Sequence, residues 1–309
     1  MQNKINLIGN PTAGNHKLTK NWSDIEQQLD KLLIDSAMHL TTCRGDATVL
    51  TRRALHDGYD TIVVLGGDGT INEVVNGFFE NGRQINSDAC LGIISTGSGG
   101  DWIKTLNIPD NIEEAAACIV EHKLRRCDVG WLECQNAQGQ TQSSYFINIA
   151  DAGFGGTLAT LANQSTKALG PFFAYLTGLL RTLAFYQNQR VRIQVDDTFE
   201  EELTVNSVVV ANGQFFGGGM WIAPEAQIDD GLFEIAIVGD VNRAEVLANI
   251  YRIYNGTLAQ HPKARYLKGK KITLQPAEES AILIEADGEQ PGQLPATFEI
   301  VPKAINIIC

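Results

Sequence analysis

Residues 61–78 read TIVVLGGDGTINEVVNGF, and this stretch decides the fold class of the 309-residue chain. Thr61–Leu65 is an unbroken apolar run rich in β-branched residues, a pattern typical of a strand buried on both faces. Ile71–Phe79 has the apolar spacing of a helix. The glycine-rich loop Gly66–Thr70 joins them, so it follows the carboxyl end of a buried strand. In open α/β sheets, ligands bind at that edge.

The residue types of this loop predict a phosphate-binding site. Glycines allow the backbone to approach phosphate oxygens, and free N–H groups at a helix start favour an anion. A carboxylate beside phosphates is repelled unless a cation lies between them, so we infer that Asp68 acts through Mg²⁺ or a Mg²⁺-bound water. The alternative is a tight turn with Asp68 as a cap, which leaves the glycines and Thr70 unexplained. Asn72 and Glu73 are candidates to buttress the loop.

Strands and helices alternate on both sides of the loop, which predicts a Rossmann-like parallel sheet with helices on both faces. The further predicted elements are a strand at Ile5–Ile8, a helix at Trp22–Leu33, a strand at Met38–Thr42, a helix at Asp46–Asp57, a strand at Leu91–Ile94 and a helix at Ile112–Glu121.

The pattern changes near residue 126, after which runs typical of β-strands dominate and predict a sandwich. The predicted strands are Ser144–Ile149, Val191–Val195, Leu203–Ala211, Leu232–Val238, Lys271–Leu274, Ile282–Glu285 and Thr297–Val301, with helices at Leu169–Phe185 and Arg243–Tyr254. We therefore predict an α/β domain over residues 1–126 and a mainly β domain over 127–290. A C-terminal segment, 291–309, is expected to pack back onto the first domain.

A second glycine-rich loop follows the predicted strand Leu91–Ile94. It reads Gly97-Ser98-Gly99-Gly100-Asp101 and leads into a helical segment. Two such loops on one sheet could hold one polyphosphate from two sides. A second turn with Asp101 as its helix cap is an equally acceptable interpretation of this loop taken alone.

Bulk properties exclude some partners. The formal net charge of −12 argues against nucleic acid as a ligand and against attraction of the whole surface to anionic lipid. The six cysteines form no CxxC pair, which favours free thiols in a reducing cytoplasm. The first residues lack the apolar core of a signal peptide. The sequence thus predicts a cytoplasmic protein. A peripheral position at a membrane is compatible with this prediction.

One apolar stretch, Leu169–Tyr186, is nearly long enough to span a bilayer. It contains Gly170, Pro171, Gly178 and Arg181, so a buried or half-buried helix is the favoured interpretation. A membrane-touching face is the alternative. No transmembrane segment is expected.

These motifs resemble the diacylglycerol kinase catalytic-domain family, which includes bacterial lipid kinases and sphingosine and ceramide kinases. NAD kinases are more distant relatives that share the GGDGT loop. The resemblance covers nearly the whole chain and implies ATP bound in a cleft between the two domains. Asn10–Gly14 is similar to the turn after the family's first strand, and Thr41 to a nucleotide-contacting threonine. The implied nucleotide-binding residues are Asn10, Thr41, Gly66, Gly67, Asp68, Gly69, Thr70, Ile71, Asn72, Gly97 and Ser98.

The second glycine loop departs from the family pattern, which has Pro and then Gly-Thr-x-Asn-Asp-Phe. This chain has Ser95 in place of the Pro, and Gly100 in place of the Asn. Ser98 keeps a hydroxyl and Asp101 keeps the acid, while Trp102 replaces Phe. The loss of the Asn side chain leaves the detail of phosphate or substrate contact open.

Two segments of the second domain carry implied roles. The resemblance places a Mg²⁺ site at Gln227, Asp230 and Leu232, with backbone carbonyls from the first and last. It makes Glu289, in Asp287-Gly288-Glu289, the acceptor of the substrate proton, a role that suits a carboxylate beside a weak hydroxyl nucleophile. Taken alone, both segments are turn-like. Domain closure is expected to bring Glu289 toward the γ-phosphate.

The sequence therefore predicts an ATP- and Mg²⁺-dependent kinase of a lipid hydroxyl, with Asp68 and Glu289 as catalytic residues. The acceptor is a diacylglycerol-like, sphingoid or phosphatidylglycerol-like lipid at a membrane surface. One alternative is a kinase of a soluble alcohol such as NAD. Another is a non-catalytic nucleotide-binding regulator on the same fold, which Gly100 favours. The oligomeric state is open, with a homodimer as a candidate.

Overall fold

The computed structural model describes residues 4–14, 37–97, 100–164 and 181–309. The predicted helix Trp22–Leu33 lies outside the described residues, as does most of Leu169–Phe185, of which residues 181–185 are helical. The chain divides into two compact units. The first comprises Met1–Val129 with Val301–Cys309, and the second is Gly130–Ile300.

The first unit contains parallel strands with helices between them, as the sequence predicts. Its strands are β1 (Ile5–Gly9), β2 (Ala37–Leu40), β3 (Thr61–Gly66), β4 (Phe79–Glu80), β5 (Arg83–Gln84) and β6 (Cys90–Ser95), and its helices are α1 (Asp46–His56), α2 (Asp68–Gly77), α3 (Asp101–Leu106) and α4 (Ile112–Glu121). β7 (Leu124–Gln135) then leads into the second unit.

Four strands of the first unit form a parallel sheet in the order β2-β1-β3-β6. Every residue of β3 and of β6 is buried, which explains their unbroken apolar runs. Asn306 and Ile307 of the C-terminal strand add to the free side of β6, in parallel. The parallel α/β prediction for the N-terminal part is therefore confirmed.

The second unit is mainly β. Its elements are β8 (Thr141–Phe146), β9 (Ile149–Gly153), α5 (Phe154–Gln164), β10 (Gln189–Val195), β11 (Phe199–Val205), β12 (Ser207–Ala211), β13 (Phe215–Phe216), β14 (Met220–Trp221), β15 (Phe233–Val238), α6 (Arg243–Tyr254), β16 (Ala264–Gly269), β17 (Lys271–Pro276), β18 (Leu283–Ala286) and β19 (Glu289–Ile308), whose end returns to the first unit.

Antiparallel strands of the second unit form two rows, β16-β15-β12-β9-β18-β19 and β11-β10-β17-β19. Both rows contribute to one apolar core, in which Val210 and Ile235 of the first row join Ile193 and Leu274 of the second. β10 buries alternate residues, whereas every residue of β9 and of β12 is buried. The prediction of a mainly β second domain is confirmed.

Two predicted strands are each two strands in the structure. Ser144–Ile149 is interrupted because the carboxylate of Asp287 accepts the backbone N–H groups of residues 147–149, at 2.7, 3.0 and 3.1 Å. Leu203–Ala211 is interrupted at Asn206, whose N–H donates to the carbonyls of Val238 and Gly239. Both interruptions depend on partners distant in sequence, so the local pattern did not reveal them.

The bounds of one predicted helix were wrong. α2 begins at Asp68 rather than at Ile71, because the Gly67 carbonyl accepts the N–H groups of Thr70 and Ile71 and so starts the helix earlier. Several elements were not predicted, among them β7, α5 and β16. Among the described residues, no helix is long and apolar enough to cross a membrane.

Candidate active site

The predicted nucleotide-binding residues of the first unit lie at the carboxyl ends of neighbouring parallel strands. The Thr41 N–H donates to the Gly9 carbonyl at 2.9 Å, and the Asn10 N–H donates to Leu65, also at 2.9 Å. The Thr96 N–H donates to Gly66 at 3.0 Å. Asn10, Thr41 and both glycine loops are therefore brought to one edge of the sheet, where open α/β sheets bind ligands.

The two glycine loops touch, and they touch through their backbones. A Cβ atom placed on Gly97 would lie 2.5 Å from the Cα of Gly67, so a side chain there would separate the loops. Gly66 is similarly confined, because a Cβ would lie 2.6 Å from that of Thr70. The Thr70 hydroxyl accepts a hydrogen bond from the Asn10 side chain at 3.0 Å. These contacts explain why the loops need glycine.

The start of α2 suits an anion. No side chain caps this helix at Gly67, and N–H groups left uncapped at a helix start favour an anion. The Thr70 and Ile71 N–H groups donate to the Gly67 carbonyl. The Ile71 side chain is in the core, 1% exposed. Any contact of Ile71 with a nucleotide would be through its backbone.

Asp68 faces Asp101 across the loop edge. Its carboxylate accepts the backbone N–H groups of Asp101 and Trp102, both at 3.4 Å. Burial and then the charge of Asp101 raise the pKa of Asp68 above its ordinary value. The Asp101 carboxylate accepts a hydrogen bond from the Lys104 ammonium at 3.1 Å. Carboxylate oxygens are ligands that Mg²⁺ takes together with phosphate oxygens. The residues present therefore fit a magnesium ion held by Asp68, with Asp101 beside it.

The second loop leaves buried polar atoms that a ligand could satisfy. The hydroxyls of Ser95 and Thr96 and the indole N–H of Trp102 have no hydrogen-bond partner within the part of the chain that the structure describes. Ser98, predicted to bind the nucleotide, lies outside that part. Gly100 has φ of +63°, a left-handed conformation. Asn tolerates this conformation better than most residues, so Gly and Asn meet the same backbone requirement here.

The helix that carries the first loop also holds the Thr41 segment. The Glu73 carboxylate accepts the Gly45 N–H at 2.9 Å and the Ala47 N–H at 3.2 Å. Glu73 thus holds the start of α1, and its role in supporting the glycine loop stays a prediction. Asp46 was not predicted: it accepts the Thr42 N–H at 2.7 Å, and hydrogen bonds from Thr42 lower the pKa of the Asp46 carboxyl. The sequence feature that could have indicated this role of Asp46 is its position at the start of a predicted helix.

In the second unit, Glu289 begins β19 directly after a tight turn. Ala286 pairs with Glu289, and the two residues between them, Asp287 and Gly288, have φ of +50° and +86°. Positive φ at both positions matches a type I′ hairpin turn. Asp287 is also the acceptor for the N–H groups of residues 147–149. The turn that the sequence suggests at this segment is therefore present, and Glu289, half-buried, leaves it in a fixed direction.

Two acids beside this turn were missed from the sequence. Asp151 and Glu285 are in register on adjacent strands β9 and β18, and both are buried. Burial raises the pKa of Asp151 to about 6, and burial raises that of Glu285 well above its ordinary value. The sequence feature that could have indicated a buried acid is Glu285 itself, which lies inside the apolar run ILIEA.

The implied magnesium site around Asp230 has the geometry of a turn. One Asp230 oxygen accepts the Leu232 N–H at 2.9 Å, and the other lies 3.9 Å from the Lys268 ammonium, which already neutralises part of its charge. Gln227 is exposed. No group of three or more His, Cys, Asp or Glu residues able to hold a metal occurs within the described ranges. The metal role of these residues stays a prediction.

Comparison with known proteins adds two family models and several relatives. The model of the diacylglycerol kinase catalytic domain matches residues 4–132. The model described as the YegS C-terminal NAD kinase beta sandwich-like domain matches residues 148–309.

Among curated proteins, the chain is similar to the diacylglycerol kinase of Staphylococcus carnosus, at 31% identity covering 99% of this chain and 95% of that protein. The diacylglycerol kinase of Staphylococcus aureus strain MRSA252 is 30% identical, covering 99% and 92%. Among solved structures, a putative diacylglycerol kinase from Bacillus anthracis superposes with a TM-score of 0.76 at 27% identity, covering 99% and 97% of the two chains.

Proposed function

The chain belongs to the diacylglycerol kinase family, phosphotransferases that use an alcohol group as acceptor, and from that premise we propose that it transfers the γ-phosphate of ATP to a lipid hydroxyl. The proposed acceptor is a diacylglycerol-like, sphingoid or phosphatidylglycerol-like lipid.

The observation that carries the proposal is the contact between the two glycine loops at the sheet edge. Gly67 and Gly97 meet backbone to backbone beside the uncapped start of α2, with Asp68 and Asp101 next to them. A triphosphate needs donors on several sides and a cation to offset its charge. Backbone N–H groups, the buried hydroxyls of Ser95 and Thr96 and two acids supply these features together.

The residues of the first unit bind and orient the donor. Asn10 holds the hydroxyl of Thr70, and Glu73 holds the backbone that follows Thr41, so both flanks of the nucleotide edge are fixed before ATP arrives. Asp68 would hold Mg²⁺, which supplies charge neutralisation on the phosphates. Positioning and charge neutralisation account for most of the catalysis of phosphoryl transfer.

Glu289 is the proposed proton acceptor. It is half-buried at the start of β19, and the turn before it is anchored by Asp287. A carboxylate in a fixed direction can orient the acceptor hydroxyl and take its proton as the phosphoryl group arrives.

The test is a phosphorylation assay with radiolabelled ATP on mixed micelles of single lipids and on a total lipid extract, with the product identified by mass. Asp68→Asn and Glu289→Gln should each lower kcat by roughly a hundredfold or more. The exposed Asp88→Asn variant is the matched control and should behave as the parent. Phosphorylation of NAD with none of any lipid would favour a soluble acceptor, and ATP binding without turnover would favour a regulator.

A further inference from the structure

We propose that Glu285 is a positioning residue for Glu289, acting through the backbone N–H of Gly288 in the turn between them. The inference rests on the proposed function, because it assigns a role relative to the proposed proton acceptor. Glu285 is not proposed to touch substrate, ATP or the reacting atoms.

The contact that carries the inference joins strand and turn. The Glu285 carboxylate in β18 accepts a hydrogen bond from the Gly288 N–H, one residue before Glu289. Gly288 has φ of +86° and is exposed at the tip of the turn, with open space where a Cβ would lie. Neighbouring side chains therefore do not fix this end of the turn by packing. Besides the pairing of Ala286 with Glu289, the hydrogen bond to Glu285 holds the Gly288 peptide.

The other end of the turn is fixed separately. Asp287 accepts three consecutive N–H groups, those of Ile147, Asn148 and Ile149, and so ties its own residue to the gap between β8 and β9. Asp287 thus secures where the turn sits. Glu285 secures how the following peptide is oriented, and that peptide sets the direction in which the chain enters Glu289.

The surroundings of Glu285 hold its side chain in place. It is 8% exposed and in register with Asp151 of the adjacent strand, which accepts hydrogen bonds from the Ser207 hydroxyl and the Gly155 N–H. The first turn of α5 closes over this strand pair, since a Cβ on Gly156 would lie 2.3 Å from the Leu283 carbonyl oxygen. A side chain packed this closely has little rotational freedom, so its carboxylate is a rigid anchor.

Stability does not account for an acid at this position. Burial and the nearby acids Asp151, Asp287 and Glu289 raise the pKa of Glu285, and burying a carboxyl group costs free energy. Residues that are unfavourable for stability but precisely held concentrate at functional sites. The function proposed for this acid is to accept the hydrogen bond from the turn before Glu289.

The experiment compares Glu285→Gln with Glu285→Met in the full-length protein. Gln keeps an oxygen that can accept the Gly288 N–H, whereas Met has similar length and no such acceptor. The kinase assay on the preferred lipid should show kcat within about threefold of the parent for the Gln variant. The Met variant should lose roughly tenfold or more in kcat, since small displacements of catalytic groups have effects of this size. KM for ATP should be unchanged in both.

Thermal unfolding of the same variants separates positioning from folding. Because Met removes a buried acid, the Met variant should unfold at the parent temperature or above it, while its kcat is low. Equal kcat for the Met variant and the parent would overturn the proposal, as would equal losses in both variants.

A second readout does not depend on activity. The exchange rate and the ¹H shift of the Gly288 amide, measured by NMR on ¹⁵N-labelled protein, should stay near the parent values in the Gln variant. In the Met variant the amide should exchange faster and move upfield. If the parent phosphorylates no lipid, the proposed function fails, yet this measurement still decides whether Glu285 fixes the turn. Identical Gly288 behaviour in all three proteins would refute it.

Discussion

The carboxylate of Glu73, in the helix that begins at the first glycine loop, accepts the backbone N–H of Gly45, the residue just before α1, at 2.9 Å. Its second oxygen accepts the Ala47 N–H at 3.2 Å, so Glu73 caps the start of α1 from a different helix. The helix that follows the first glycine loop and the segment after Thr41 are therefore joined by Glu73.

We expect Glu73→Ala to weaken ATP binding more than catalysis. Two N–H groups would lose a charged acceptor, which is worth about 1–3 kcal/mol, and the Thr41 segment would loosen. The expected result is a rise in KM for ATP of roughly tenfold with kcat within about threefold of the parent. Glu114→Ala, an exposed residue of α4, is the control and should change neither constant. A fall in kcat alone would contradict this role.

Asp68→Asn should separate activity from stability. Burial and the charge of Asp101 raise the pKa of Asp68, so the surroundings disfavour its ionised form when no cation is bound. The neutral Asn avoids this penalty, and the melting temperature in metal-free buffer should stay equal or rise. Added Mg²⁺ and ATP should stabilise the parent but not the variant, as measured by thermal unfolding. A variant that loses both activity and stability would indicate a structural role only.

The buried strands and the glycine loops could be predicted from the sequence because their signals are local. β3 and β6 are apolar throughout, and the loops follow them directly. Because the strands are parallel, their carboxyl ends meet at one edge of the sheet. The sequence could therefore predict that Asn10, Thr41 and Asp68 lie near one another. Their roles toward ATP and metal stay predictions.

The parts that sequence reasoning missed depend on distant partners. Asp287 interrupts a strand about 140 positions earlier in the chain, and Asn206 turns because of carbonyls at 238 and 239. Asp151 and Glu285 become neighbours through strand pairing alone. The local sequence pattern does not indicate such contacts.

At Gly100 the sequence indicated the loss of a side chain that could contribute to function. The structure shows in addition that this residue has a left-handed backbone conformation.

Two substitutions at Gly100 test that backbone requirement. Its φ is +63°, which Asn adopts more readily than Ala, so Gly100→Asn should be less destabilising than Gly100→Ala by about 0.5–1 kcal/mol. A Cβ at this position would lie 3.3 Å from the Ile103 side chain, so both variants share a small steric penalty. Urea denaturation gives the difference. Equal stability of the two variants would argue that the loop relaxes away from this conformation.

The same pair of variants bears on the open question about activity. The position of a Cβ at residue 100 is 3.8 Å from the Ser95 hydroxyl, so an Asn side chain would lie close to that buried group. If the family Asn contributes to phosphate or substrate contact, Gly100→Asn should raise kcat/KM by a few fold over the parent, and Gly100→Ala should not. A lower value in both variants would show that this chain has adapted its loop to glycine.

Asp151 should lower the stability of the protein as pH rises from about 4 to about 6. Burial raises the pKa of Asp151 from 3.8 to about 6, so over this window the folded state binds more protons than the unfolded state. The free energy of unfolding then decreases with increasing pH, by at most about 3 kcal/mol from this group. Asp151→Asn should flatten the slope of unfolding free energy against pH in urea titrations at several pH values.

The absolute stability of the Asp151→Asn variant is also expected to drop, because the Ser207 and Gly155 contacts change. The pKa of Asp151 is therefore tested by the slope alone. Glu285 shifts in the same direction and should leave a residual slope, whereas the exposed Asp88→Asn control should keep the full parental slope. A parental slope in Asp151→Asn would mean that this carboxyl is already ionised in the folded protein at pH 4.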